Sequence, residues 1–149
     1  ILALGVEGVE EHIRTIGLYR NKARNLVETC RLLIANNAGR VPRSREALEA
    51  LPGVGRKTAN VVLNVAFGEP TFAVDTHVFR VCNRSGLAPG STPHEVEMQL
   101  IERVPPAYRV GAHHWLILHG RYTCKARTPL CPTCVVADLC TFKGKTVVV

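Results

Sequence analysis

Cys124, Cys131, Cys134 and Cys140 form a C-x6-C-x2-C-x5-C run near the C-terminal end, and four thiols in one short segment exceed what packing needs. Their chemistry is metal ligation. A tetrahedral zinc site usually draws on two C-x-x-C knuckles, whereas only Cys131 and Cys134 have that spacing and the outer two reach in across longer loops. The pattern therefore favours a bulkier 4Fe-4S cluster held by all four, with zinc as the alternative and disulfides as the third reading. Pro129 and Pro132 flank the second ligand and stiffen the loop, so less entropy is lost when the thiolates converge. Cys30 and Cys82 fall on apolar helical positions and read as small core residues. Free thiols beside a metal cluster point to a reducing interior.

Leu51-Pro52-Gly53-Val54-Gly55 is the second informative pattern. A tight turn with glycines at alternate positions, followed by a helix, presents backbone N–H groups and a positive helix end to an anion with no side chain in the way. It is a way to grip a phosphate without reading a base. The same residues could instead form an ordinary αα-hairpin whose glycines let two helices pack closely. Charge helps to decide. Lys+Arg number 19 against 12 Asp+Glu, a net charge of +7 with a pI near 9.4. A four-cysteine cluster would carry about two negative charges, leaving roughly +5, so a polyanionic partner remains the expectation.

These sites need elements to hold them. With 149 residues, 46% of them hydrophobic, the chain can bury a core as one domain or two small lobes. Apolar residues recur at helical spacing from Ala23 through Leu26, Val27, Cys30 and Leu33 to Ile34, and Gly39 closes that helix. Ser44 caps a short helix ended by Pro52 and Gly53. Arg56 to Phe67 reads as a buried helix, Asp75 as the N-cap of a helix from Thr76 to about Arg84, and Thr92-Pro93-His94-Glu95 as a capping box opening a helix to about Arg103. Pro105 and Pro106 are expected to end that helix, with a last core helix around Gly111 to His119 leading into the cysteines. No strand pair or repeat is evident, so the class is all-α. No stretch is apolar enough to span a bilayer and the N-terminus lacks a signal-peptide pattern, so a soluble, intracellular protein is expected. The chain opens at Ile1 in a manner that reads like the middle of a domain, and a fragment is the expectation.

The residues together carry a family resemblance. L-P-G-V-G-R-K-T-A-N at Leu51 to Asn60, A-V-D-T-H at Ala73 to His77, H-H-W-L-I-L-H-G-R-Y-T-C at His113 to Cys124 and the cysteine spacing, in this order, resemble endonuclease III. That family comprises helix-hairpin-helix DNA glycosylases and abasic-site lyases with an iron-sulfur cluster. The resemblance runs from about Leu4 to about Lys145. It implies two all-α lobes flanking a DNA-binding groove, a partial helical-barrel lobe with the hairpin over residues 1–69 and an iron-sulfur cluster lobe over 70–149. It also implies base excision repair of oxidised pyrimidines in double-stranded DNA by a cytoplasmic monomer, in the prokaryotic cytosol or nucleoid, with no membrane partner. The family's N-terminal helices, one carrying a polar residue that fills the gap left by the flipped nucleotide, have no counterpart in this sequence.

Residue by residue, Lys57 matches the family's nucleophile, an amine on the first turn after the hairpin that attacks C1′, displaces the base and forms an imine permitting β-elimination. Only the neutral amine can attack. Asp75 matches the catalytic aspartate, whose negative charge stabilises oxocarbenium character at C1′; a pure N-cap is the plainer role, and the two are compatible. Leu18, in the Gly17-Leu18-Tyr19 loop, matches the apolar wedge pushed into the duplex. The hairpin residues Gly53, Val54, Gly55 and Arg56 would meet phosphate, as would Lys125 and Arg127 between the first two cysteines. His113, His114 and His119 sit among Trp115, Leu116 and Leu118 and are expected to pack and hydrogen-bond locally. His77 is not expected to be catalytic. Two alternatives stand beside this: a non-catalytic DNA-binding module with a structural cluster, and a monofunctional adenine-type glycosylase, against which the lysine after the hairpin argues.

Overall fold

The computed structural model describes residues 1–147. Among them are seven α-helices, α1 (Gly5–Ile13), α2 (Tyr19–Asn37), α3 (Arg45–Glu49), α4 (Arg56–Phe67), α5 (Thr76–Ser85), α6 (Pro93–Arg103) and α7 (Pro106–Tyr122), then a 3₁₀ turn at Cys131–Thr133, and no strand. The class is all-α, as the periodicity predicts. By contacts the chain divides into two compact units, Ile1–Ala59 and the residues from Asn60 onward, so the division falls inside α4.

In the first unit α1 packs on α2, and Val9, Ala23, Leu48, Leu51 and Ala59 are buried. Ser44 caps α3 as expected, its hydroxyl accepting from the Ala47 N–H at 3.2 Å. α2 extends beyond both ends of the Ala23–Ile34 pattern, and it stops where Ala38 and Gly39 enter the left-handed region and the Gly39 N–H closes back on the Leu33 carbonyl at 2.9 Å.

The second unit is built on Phe72, Val74, Val78, Cys82, Ala88, Val96, Leu100, Val104 and Ala112. Thr92 caps α6 by accepting from the Glu95 N–H at 3.2 Å, and the Glu95 carboxylate returns to the Ser91 N–H at 2.8 Å. α7 departs from expectation. It starts at Pro106 and runs to Tyr122, longer than the Gly111–His119 segment, because proline at the first helical position lacks only an N–H that would have no intrahelical partner there. α5 and α7 approach closely at Gly120, where an added Cβ would stand 2.8 Å from the His77 Cβ. Any larger residue there would push the two helices apart.

Candidate functional site

In the first unit the hairpin is set by its own bonds and by α2. The Val54 N–H closes the turn on the Leu51 carbonyl at 3.1 Å, and the Thr29 hydroxyl donates to the Pro52 carbonyl at 3.4 Å. Gly53 has a φ of 74°, and a Cβ there would collide with the Asn25 side chain. Only glycine fits. Gly55 is exposed, and a Cβ on it would meet nothing within 4 Å, so an anion has an open approach to this backbone. Lys57 follows on the exposed first turn of α4.

Leu18 lies in the same unit, at the N-cap of α2, 76% exposed and with a φ of 58°. A leucine in the left-handed region costs about 1–2 kcal/mol, and such strain clusters at working positions. Leu18→Gly removes both the strain and the side chain. Thermal unfolding should therefore shift by no more than a few degrees in either direction, while affinity for a lesion duplex falls; a large loss of stability would mean that Leu18 serves the fold instead.

In the second unit the approach to Asp75 is clamped from several sides. The buried Asn60 amide donates to the Phe72 carbonyl at 2.9 Å, and the Thr71 hydroxyl returns to the Asn60 carbonyl at 2.8 Å. The Asn64 amide donates to the carbonyls of Glu69 and Thr71, each at 3.1 Å. The buried His113 accepts the Ala73 N–H on Nδ1 at 3.3 Å. Asp75 then caps α5, its Oδ1 accepting from the His77 and Val78 N–H groups, both at 2.8 Å. The cap fixes the carboxylate while Oδ2 accepts neither of these bonds.

The cysteine segment is held by α5 and by its own turns. Arg80 donates to the carbonyls of Gly120 at 2.7 Å and Cys124 at 2.9 Å, and reaches the His77 ring at 3.2 Å. Arg84 donates to the carbonyls of Lys125 and Ala126 at 2.7 and 2.8 Å. The Lys145 ammonium donates to the Ala137 carbonyl at 2.7 Å, and the Thr146 hydroxyl bridges from the Pro129 carbonyl to the Cys131 N–H. Sequence reasoning missed these roles of Asn60, Asn64, Arg80 and Arg84. The only available sign was the i, i+4 spacing of the two asparagines and of the two arginines, which puts each pair on one helix face.

None of the six cysteines is joined in a disulfide. Cys124, Cys131, Cys134 and Cys140 line a single pocket with Val81, Pro129, Leu130, Val136 and Phe142. The donor set and the apolar lining thus fit an iron-sulfur cluster. An Arg84 N–H points at the Cys124 sulfur (3.7 Å), and His119 Nε2 lies 3.8 Å from the Cys134 sulfur, partner contacts of the type that tune such a centre. Burial lowers the His119 pKa, which favours its neutral form. Cys82 stands apart, its thiol pushed up to about 12 by burial, so it stays protonated in the core. Cys131→Ser should abolish the visible absorbance and iron content of the purified protein, while Cys30→Ser keeps both; equal retention would remove Cys131 from the ligand set.

Residues 1–106 match the HhH-GPD superfamily of base excision DNA repair proteins, and residues 124–140 match the iron-sulfur binding domain of endonuclease III. Endonuclease III of Escherichia coli K12 is 61% identical over 145 residues, 97% of this chain and 69% of that protein. The chain belongs to the endonuclease III family. The Haemophilus influenzae endonuclease III is 59% identical over the same share of each chain. A solved endonuclease III trapped as a covalent intermediate with DNA superposes with a TM-score of 0.87 at 50% identity, covering 94% of this chain and 66% of that one. A thermostable thymine-DNA glycosylase gives 0.82 at 31% identity, covering 95% and 67%. The chain spans about two thirds of the length of the relatives it matches. The cofactor of this endonuclease III family member is a 4Fe-4S cluster.

Proposed function

We infer that this chain is a base excision repair enzyme that releases an oxidised pyrimidine from duplex DNA and cleaves the abasic site by β-elimination, working in a DNA-containing, reducing cytosol. The observation that carries this reading is Lys57 on the exposed turn directly after an open, glycine-lined hairpin. The Gly53-Val54-Gly55 turn, through backbone N–H groups other than that of Val54, which closes the turn, grips a phosphate with Arg56 and brings the adjoining sugar to the amine. Lys57 Nζ bonds to C1′ as the glycosidic bond breaks and the base departs with the bonding electrons. Loss of the amine proton and ring opening give the imine. Removal of a C2′ proton then expels the 3′ phosphate, and water hydrolyses the imine to restore the lysine.

Asp75, oriented by its cap, supplies negative charge to the oxocarbenium-like transition state. Leu18 is the wedge that holds the duplex open. Cys124, Cys131, Cys134 and Cys140 would hold the cluster, which when bound would cross-link and order the segment carrying Lys125 and Arg127. Those two exposed residues bind phosphate. Lys125→Ala and Arg127→Ala should weaken damaged and undamaged duplex alike, each lowering the salt slope by about one unit. Loss confined to the damaged duplex would place them in the lesion pocket.

The decisive assay uses a duplex with one oxidised pyrimidine. Base release with a nick bearing a 3′ unsaturated aldehyde is expected. Binding without release would favour a non-catalytic module, and release without a nick a monofunctional glycosylase.

A further inference from the structure

Arg84 is bound to both ends of the cysteine segment. From α5 its guanidinium donates to the carbonyls of Lys125 (2.7 Å) and Ala126 (2.8 Å) and points an N–H at the Cys124 sulfur (3.7 Å). The same group stacks 4.6 Å from the centre of the Phe142 ring. Its backbone carbonyl accepts from the Thr141 hydroxyl, next to Cys140, at 3.3 Å. The two carbonyls it grips lie between the first cysteine and Arg127, in the stretch from which Lys125 and Arg127 project. A planar fork with several donors can serve both at once, whereas a lysine ammonium on a flexible stem holds them less firmly.

We propose that Arg84 is a positioning residue that presents Lys125 and Arg127 to the DNA backbone, an inference that rests on the reading above that those two side chains touch phosphate. Its charge is already engaged by two carbonyls, a sulfur and an aromatic face, so its effect on DNA passes through the loop. Without it the 125–127 backbone loses two charge-assisted hydrogen bonds, and the cost of ordering both basic side chains falls on the binding step.

The test is a double-mutant cycle on the cluster-loaded protein with undamaged duplex at several salt concentrations. It compares Arg84→Gln, the pair Lys125→Ala with Arg127→Ala, and all three together. Arg84→Gln should weaken binding about five- to tenfold and flatten the salt dependence, yet add less than about twofold to the Lys125/Arg127 pair. Arg84→Lys should recover part of the loss. If Arg84→Gln fails to retain iron and sulfide, Arg84→Lys carries the same cycle, with a smaller loss that again vanishes in the pair background. An equal fold loss in both backgrounds, or no loss in either, overturns the role of Arg84. If the Lys125/Arg127 pair itself binds as tightly as the unsubstituted protein, the phosphate reading fails first and the inference with it.

Discussion

Lys57→Gln should abolish strand cleavage at an abasic site while leaving most DNA binding in place. Glutamine keeps a polar side chain of similar reach, but its amide nitrogen has no basic lone pair and cannot form an imine with C1′. The hairpin is untouched by the change, because its turn is set by the Val54 to Leu51 bond, the Thr29 bond to Pro52 and the fit of Gly53 against Asn25. At most about one phosphate contact is lost, so the salt slope should fall by no more than about one unit. Cleavage surviving at a measurable fraction of the original rate would show that another amine does the chemistry.

Asp75→Asn carries the second largest expected effect. Asparagine caps a helix about as well as aspartate, so the bonds from the His77 and Val78 N–H groups can persist and α5 should keep its start. What disappears is the negative charge. Base release should slow on the order of 10²–10³-fold, the size typical of removing one preorganised electrostatic group, with melting temperature and duplex affinity little altered. A loss of folding would mean that Asp75 matters chiefly as a cap, and an unchanged rate would take it out of the chemistry.

The contrast between these residues and their supports shows what a sequence can carry. The caps at Ser44, Asp75 and Thr92 were legible because each bond spans only two or three residues, and the bounds of α4 because glycines and a proline flank them. The four cysteines were legible as a set because their chemistry is rare and their spacing short. α7 was only partly legible. Two prolines read as a stop, yet the second sits at the first helical position and begins a helix, so a stop and a start stand side by side and the pair alone does not say which each is. Leu18 gives no hint of its left-handed backbone, since nothing about a leucine favours that region. The clamps made by Asn60, Asn64, His113, Arg80 and Arg84 were hidden for another reason. Several of their partners lie 40 or more residues away in the chain, so those bonds exist only once the helices have packed.

Those clamps also explain how a carboxylate and a cluster segment on one unit are held rigid. The extended stretch before Asp75 is fixed by Asn60, Asn64 and His113, and the stretch after Cys124 by Arg80 and Arg84. Catalytic groups on such supported backbone lose little entropy when substrate arrives.

Reductive trapping tests the central claim most directly. Borohydride added during reaction on an abasic-site duplex should reduce the imine to a stable amine, giving a covalent protein–DNA adduct that peptide mapping locates at Lys57. An enzyme that nicks the same duplex but traps at a different residue, such as an N-terminal amine, would contradict the assignment of Lys57, and one that nicks without trapping at all would contradict the imine itself.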